Sequence, residues 1–272
     1  MIKKAIIPVA GWGTRWFPIT KSIEKCMLPI GNRPIVDYVV KDCIDAGVSD
    51  IYFVVAEGAT QLKQFYSSNE KLDKYLRDSG KIDQLDKVTA PVGVTFHYIE
   101  QPQNDKYGTA VPIALAESYI DEGESVVVLM GDDFVYSNDG TNDIKGLIDG
   151  TSQQGNSLLG VSIPIDQVSR YGVIEMSPAG EYVRIVEKPE QSEAPSNLIN
   201  ISKYVLNKDI VKMAVDFVNT DKTGEYYLTD VINQYVSGGG SVNVVKAKGE
   251  YLDGGNPDGW LHANRVIMGD IA

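Results

Sequence analysis

The sequence predicts an α/β fold, a Rossmann-like, mainly parallel mixed sheet flanked by helices, in a single domain of two lobes. Short runs rich in β-branched residues alternate with stretches of helical period through residues 1–165, the rhythm of parallel strands joined by crossover helices. The first run ends in a glycine turn, and in such sheets ligands gather beyond the carboxyl ends of the strands. A chain of 272 residues, 43% hydrophobic and 23% charged, is long enough to bury the core this requires.

The expected strands are residues 3–9, 50–55, 94–99, 125–130 and 157–164. Between them, Ile35, Tyr38, Val39, Cys43 and Ala46 fall on one face of a helix that Pro34 opens and Gly47 closes. Residues 58–78, 108–120 and 142–154 read as further helices. After residue 165 the rhythm changes. Residues 171–189 read as a hairpin turning at 177–180, followed by helices at 208–218 and 226–236, a strand at 242–247 and a helix at 256–268. The glycines at 238–240 read as a helix end and turn. This second part, 166–272, should complete the sheet and one wall of a cleft.

Charge narrows the function. The net charge is −12, which argues against nucleic-acid binding, where a basic stripe should dominate. Residues 1–25 depart from that balance, at +4 against −16 for the remainder, so something anionic belongs near the first turn. Cys26 and Cys43 make no disulfide framework and suit a reducing compartment. The apolar run of "MIKKAIIPVAG" is too short for a signal peptide and contains Pro8. No run approaches the roughly 20 apolar residues of a membrane span. A cytoplasmic protein is expected.

The turn fits neither common phosphate cradle. Gly11 and Gly13 match the first two glycines of G-x-G-x-x-G, but Trp16 stands at the third, and no G-x-x-x-x-G-K-[ST] occurs. What distinguishes the turn is Arg15, Lys21 and Lys25 close behind it. Glycines let backbone N–H groups approach phosphate oxygens, and long cations can close over them.

Here "AGWGTR", "KSIEKCMLPIGNRPIVDYVV", "APSNLINISKYVL" and "GEYYLTDVI" resemble the nucleoside-diphosphate-sugar pyrophosphorylases, the sugar-1-phosphate nucleotidyltransferases, and within them the bacterial UTP–glucose-1-phosphate uridylyltransferase group. The likeness runs in order over residues 3–267. It implies a glycosyltransferase-A-like nucleotidyltransferase fold and the reaction UTP + glucose 1-phosphate ⇌ UDP-glucose + pyrophosphate, with Mg²⁺. Homo-oligomers are common among such proteins, so a dimer or tetramer is implied as well.

Chemistry asks for the same parts. A phosphomonoester's second pKa is about 6, so the attacking sugar phosphate is already ionised and needs no general base. The scarcity of histidine, His97 and His262 alone, is therefore no obstacle. Positioning and charge neutralisation carry such a transfer. It needs cations on the leaving pyrophosphate and the attacking phosphate, and carboxylates for Mg²⁺.

The resemblance supplies candidates. Arg15 and Lys25 would hold the triphosphate, with Ala10, Gly11, Gly13 and Thr14 of the turn; Lys21 is a weaker candidate. Asp132 ends a run of five apolar residues, 126–130, where a carboxylate is costly to bury without a cation. Asp253 would be the second metal ligand, and Asp133 a supporting residue. Gln101 and Gly108 fall where the family reads the pyrimidine, and an amide suits uracil's imide edge. Glu187 would meet sugar hydroxyls and Lys188 the glucose phosphate, with Gly172, Asn197 and Glu225 as further sugar-side contacts. Adjacent strand residues point to opposite faces, so Glu187 and Lys188 can serve one ligand only if the strand ends near Pro189. Cys26 departs from the pattern, which has an acidic residue there. A dTTP-dependent enzyme and a non-catalytic nucleotide-sugar sensor are the alternatives. Retention of Arg15, Lys25, Asp132, Lys188 and Asp253 together argues against the sensor.

Overall fold

The computed structural model describes residues 2–152 and 154–269. In chain order the strands of the first half are β1 (Lys4–Pro8), β2 (Pro29–Ile30), β3 (Arg33–Pro34), β4 (Asp50–Ala56), β5 (Thr95–Gln101), β6 (Ser125–Leu129), β7 (Asp133–Tyr136) and β8 (Ser157–Ser162). Those of the second are β9 (Gly172–Met176), β10 (Tyr182–Glu187), β11 (Leu198–Asn207), β12 (Asn243–Lys246) and β13 (Glu250–Asp253). The helices are α1 (Ile35–Asp45), α2 (Gln61–Phe65), α3 (Glu70–Asp78), α4 (Leu85–Val88), α5 (Ala110–Leu115), α6 (Asp143–Asp149), α7 (Lys208–Val218), α8 (Leu228–Ser237) and α9 (Pro257–Met268). Among the described residues no helix is long and apolar enough to cross a membrane.

The central sheet is mixed, with a parallel half. Strands β5, β4, β1 and β6 lie side by side and parallel, and β11 joins β6 antiparallel. β11 also pairs with β8 and β9, β9 with β10, and β8 with β12. Successive side chains of a strand point to opposite faces, and the core divides accordingly. Ile7, Phe53, Val127 and Leu129 pack with Val39, Val40 and Cys43 of α1 and with Leu147 of α6. Their neighbours Ile6, Val54, Val126 and Val128 pack on the other face with Ile113 of α5 and Ile210 and Ala214 of α7. Side chains of this kind stabilise the fold by about 1.5–3 kcal/mol each.

Several boundaries differ from the sequence reading. The helix expected over 58–78 is two helices, because Asn69 accepts from the N–H of Leu72 (3.1 Å) and starts α3 afresh. The helix expected at 108–120 runs from Ala110 to Leu115 and tightens to a 3₁₀ turn at Glu117–Tyr119. The helix expected at 142–154 ends at Asp149, and residue 153 lies outside the described residues.

Besides the short β2, β3 and α4, three longer-range elements were not anticipated. One is the ten-residue β11, which joins the two halves of the sheet. The others are β7 and β13, which form a separate antiparallel pair with Asp133 opposite Asp253. Together they carry the carboxyl end of β6 across to the start of α9.

A buried ion pair fastens these pieces. Within β11, Ser202 has a positive φ of 54° and the register shifts between Asn200 and Tyr204. Beyond this bulge Lys203, 1% exposed, forms an ion pair with Asp133 and donates to the Met130 carbonyl (3.3 Å). The Tyr251 hydroxyl of β13 donates to the other Asp133 oxygen (2.9 Å). Burial pushes the Asp133 carboxyl up from its ordinary range, against the pull of Lys203.

Breaking such a pair from one side leaves an uncompensated buried charge, at a cost of about 3–5 kcal/mol. Lys203→Met should lower unfolding stability by that amount in urea titrations followed by circular dichroism. The double change Lys203→Met/Asp133→Leu should recover most of the loss. A single variant as stable as the parent would remove the pair as the fastening between β11 and β7.

Candidate active site

The glycine turn leaves β1 at its carboxyl end and folds back on itself. Gly13 has φ 63°, and a Cβ there would stand 3.0 Å from Thr20 Cγ2 and 3.1 Å from Lys25 Cβ. The Gly13 carbonyl accepts from the Trp16 N–H (2.8 Å) and the Thr20 hydroxyl (2.9 Å). Glu24 fixes the far end of the loop. Its carboxylate accepts from the N–H groups of Thr60 and Gln61, both 2.8 Å, while the Gln61 side chain accepts from the Glu24 N–H (2.9 Å). The residue that follows this clamp is Lys25.

Lys25 forms an ion pair with Asp132, their side chains 20% and 29% exposed. Desolvation pushes the Asp132 carboxyl up, but Lys25, Lys203 and Arg15 together outweigh it and hold the group below its ordinary value. Asp132 leaves the end of β6 beside the end of β1. At Gly131 a Cβ would come within 2.4 Å of Val9 Cγ1, so any larger residue would have to displace Val9.

Asp253 reaches the same place from β13. Its Oδ1 accepts from the Gly255 N–H (2.8 Å) and its Oδ2 from the Asn256 side-chain amide (3.0 Å). Asn256 is also the N-cap of α9, accepting from the Gly259 N–H (3.0 Å). Gly255 marks where the charges converge: a Cβ there would lie 2.8 Å from Asp253 Oδ1, 3.2 Å from Asp132 Oδ2 and 3.5 Å from Lys25 Nζ. Among the described residues no cluster of three or more His, Cys, Asp or Glu side chains is arranged to hold a metal ion. Two carboxylates meeting at a glycine suit Mg²⁺, which takes one or two from a protein and completes its shell with phosphates and water.

The ends of β1, β5 and β6 open onto a cavity of about 520 Å³. Its lining includes Ala10, Gly11, Gly13, Thr14, Arg15 and Lys25 from the loop, Asp132 and Gly255 from the charged end, and Gln101, Gly108 and Glu225 opposite. Gly108 must be glycine, since at φ 120° its Cβ would lie 2.5 Å from the Tyr226 carbonyl oxygen. Neither histidine is in the lining. His97 contacts Asp50 (3.2 Å) and His262 contacts Glu250 (2.8 Å).

The expected sugar-side residues divide. Glu225 lines the cavity near Gly108, on the side expected for the base. Gly172 and Glu187 are opposite each other in the β9–β10 pairing, and a Cβ at 172 would stand 3.1 Å from Glu187 Oε1. Glu187 accepts from the Thr229 hydroxyl (2.6 Å); burial pushes its carboxyl up against the opposing pull of Thr229 and Lys188. The difficulty of adjacent residues on opposite faces disappears because β10 ends at Glu187. Lys188 takes φ 46° and its N–H donates to the Tyr171 carbonyl (3.0 Å). Asn197 is exposed, and its side chain donates to the Ile163 carbonyl (3.2 Å). Gly172, Glu187, Lys188, Asn197, Asp253 and Lys21 are all absent from the cavity wall.

Cys26 is 3% exposed at the base of the cavity, its thiol pushed up by burial and then by Glu24. Trp12, Lys106 and Tyr107 also line the cavity and were missed in the sequence. The signal for two of them was an aromatic residue set in a glycine-flanked loop.

Comparison with known proteins agrees with this geometry. The family model for nucleotidyl transferases matches residues 4–268. The UTP–glucose-1-phosphate uridylyltransferase of Staphylococcus epidermidis is 37% identical over 242 residues, covering 86% of this chain and 81% of that protein. A UTP-bound UGPase from Acinetobacter baumannii superposes with a TM-score of 0.87 at 29% identity, over 98% of this chain and 93% of the other. A UDP-glucose pyrophosphorylase complexed with UDP-glucose gives 0.81 at 28% identity, over 100% of both. With cations and carboxylates gathered at the end of β1 and a match over nearly its whole length, the chain belongs to the nucleotidyl transferase family.

Proposed function

We infer that the chain is a UTP–glucose-1-phosphate uridylyltransferase, joining UTP and glucose 1-phosphate to give UDP-glucose and pyrophosphate. The observation that carries this reading is the meeting of Arg15, Lys25, Asp132 and Gln101 on one cavity. In the reaction an oxygen of glucose 1-phosphate forms a bond to the α-phosphorus of UTP as the bond to pyrophosphate breaks on the opposite side. No proton need move, which fits a cavity lined without histidine.

Each group has a part in that transfer. The amides of the Gly11–Gly13 turn, with Ala10 and Thr14, lie against the phosphates, and Arg15 and Lys25 take up the charge that grows on the leaving pyrophosphate. Gln101 presents both a donor and an acceptor to uracil, and Gly108 lets the ring lie close to the backbone. Lys188 holds the glucose phosphate, and Glu187 accepts from a sugar hydroxyl beside Gly172. Asp132 and Asp253 would hold Mg²⁺, which when bound neutralises phosphate oxygens and orients them. Lys25 pairs with Asp132 and would exchange that partner for phosphate when nucleotide binds.

The same reading assigns the nucleotide to residues 1–165 and the sugar phosphate to residues 166–272; residues 1, 153 and 270–272 lie outside the described residues. It includes a homo-oligomer, and buried free thiols at Cys26 and Cys43 support a cytoplasmic setting.

A matrix of nucleoside triphosphates against glucose, galactose and mannose 1-phosphates, read by pyrophosphate release with Mg²⁺, tests the assignment. UTP with glucose 1-phosphate should give the highest kcat/KM. A clearly higher value with dTTP would move the chain to the thymidylyl branch, a choice that rests on one methyl and one hydroxyl, with a methylene-sized difference worth about 1–3 kcal/mol. Folded protein releasing pyrophosphate from no pair would leave the sensor alternative.

The two lysines should fail differently. Lys25→Ala should lower kcat by about 10²–10³-fold, the usual loss for a donor aimed at developing charge. Lys188→Ala should raise the KM for glucose 1-phosphate with little change in the KM for UTP, since its phosphate is charged in the ground state. Steady-state kinetics with each substrate varied separately check this. A Lys188 variant that weakened UTP alone would overturn the division of the cleft.

A further inference from the structure

Lys188 is a flexible four-carbon cation that must hold a phosphate in line with a particular bond. Its backbone leaves β10 at a positive φ, and among the described residues its ammonium makes no ion pair. The ring of Tyr227 lies under that ammonium at 5.8 Å from the centroid, within reach of a cation–π contact. Lys222 shares the ring at 5.8 Å, but has other anchors: Asp230 at 2.7 Å and the Phe217 ring at 4.8 Å. The backbone of Tyr227 is itself fixed, as the N-cap of α8. Two residues before it, Glu225 lines the cavity beside Gly108. Glu225 and partial burial push the Tyr227 phenol up to about 12, so it stays neutral.

We propose that Tyr227 is a positioning residue for Lys188, its ring, held at the N-cap of α8, aiming the ammonium at the sugar phosphate. The proposal rests on the uridylyltransferase reading and deepens it. Residues 225–227 thereby touch both substrates' sides of the cleft: Glu225 in the cavity, the Tyr226 carbonyl under Gly108, and Tyr227 under Lys188.

Two substitutions separate ring from hydroxyl. Tyr227→Leu removes the ring, and should raise the KM for glucose 1-phosphate by roughly three- to tenfold, as loss of an ordinary cation–π contact implies. The KM for UTP and the unfolding midpoint should stay near those of the parent. Tyr227→Phe keeps the ring and should restore the KM for glucose 1-phosphate to within about twofold. An unchanged KM in the Leu variant overturns the proposal, as does a Phe variant as impaired as Leu, or an equal rise in both KM values, which would mark a merely structural residue. Failure of the unsubstituted chain to turn over UTP and glucose 1-phosphate is a separate outcome; it would overturn the functional reading and the positioning role with it.

Discussion

The contact between Lys25 and Asp132 is the constraint around which the cleft is arranged. A cation carried by a surface loop and a carboxylate carried by the central sheet meet at the cavity floor, and the rest of the local structure keeps them there. Glu24 clamps the loop to the start of α2 one residue before Lys25. The small β7–β13 pair and the buried Lys203–Asp133 ion pair hold the segment that begins with Asp132. Asp253 then arrives from the far end of β13, already oriented by Gly255 and Asn256. Preorganised charge of this sort stabilises a developing anion without reorganisation during the reaction.

The proposed sugar side is built on a different principle. Lys188 stands at the end of a strand, in a backbone conformation unusual for a residue other than glycine. That conformation lets Glu187 and Lys188 depart from the strict alternation of a strand. Gly172 leaves room beside Glu187, so a sugar hydroxyl and its phosphate can be met by consecutive residues. The charged side chain at this turn has an aromatic neighbour in place of a carboxylate, which leaves its positive charge available to a ligand.

How much of this could be read in the sequence depended on whether the signal was local. The parallel strands were legible because Ile6, Ile7 and Val126 to Leu129 form dense β-branched or aliphatic runs, and α1 because its apolar positions recur at helical spacing. β11 escaped notice because Asn200, Ser202 and Lys203 interrupt its apolar pattern; the bulge at Ser202 and the burial of Lys203 against Asp133 follow from partners about 70 residues away. β7 and β13 have four residues each, too few for a periodic signal, and their pairing spans more than 100 residues. The loop cations and Asp132 were visible as charges beside glycines. Asp253, Glu187 and Lys188 were visible by family resemblance alone. Glu225, expected with the sugar, lines the cavity beside Gly108, a packing that nothing in "GEYYLTD" discloses.

The central claim is that Asp132 restrains Lys25 until nucleotide and Mg²⁺ replace that contact. Calorimetric titration of UTP into Asp132→Asn, with and without Mg²⁺, tests it most directly. Without the metal ion, removing the carboxylate's charge should free Lys25 and tighten UTP binding relative to the parent chain. With Mg²⁺ the same substitution should weaken binding, because one of the two carboxylates proposed for the ion is lost. UTP binding that is unchanged or weaker in the absence of Mg²⁺ would contradict the account.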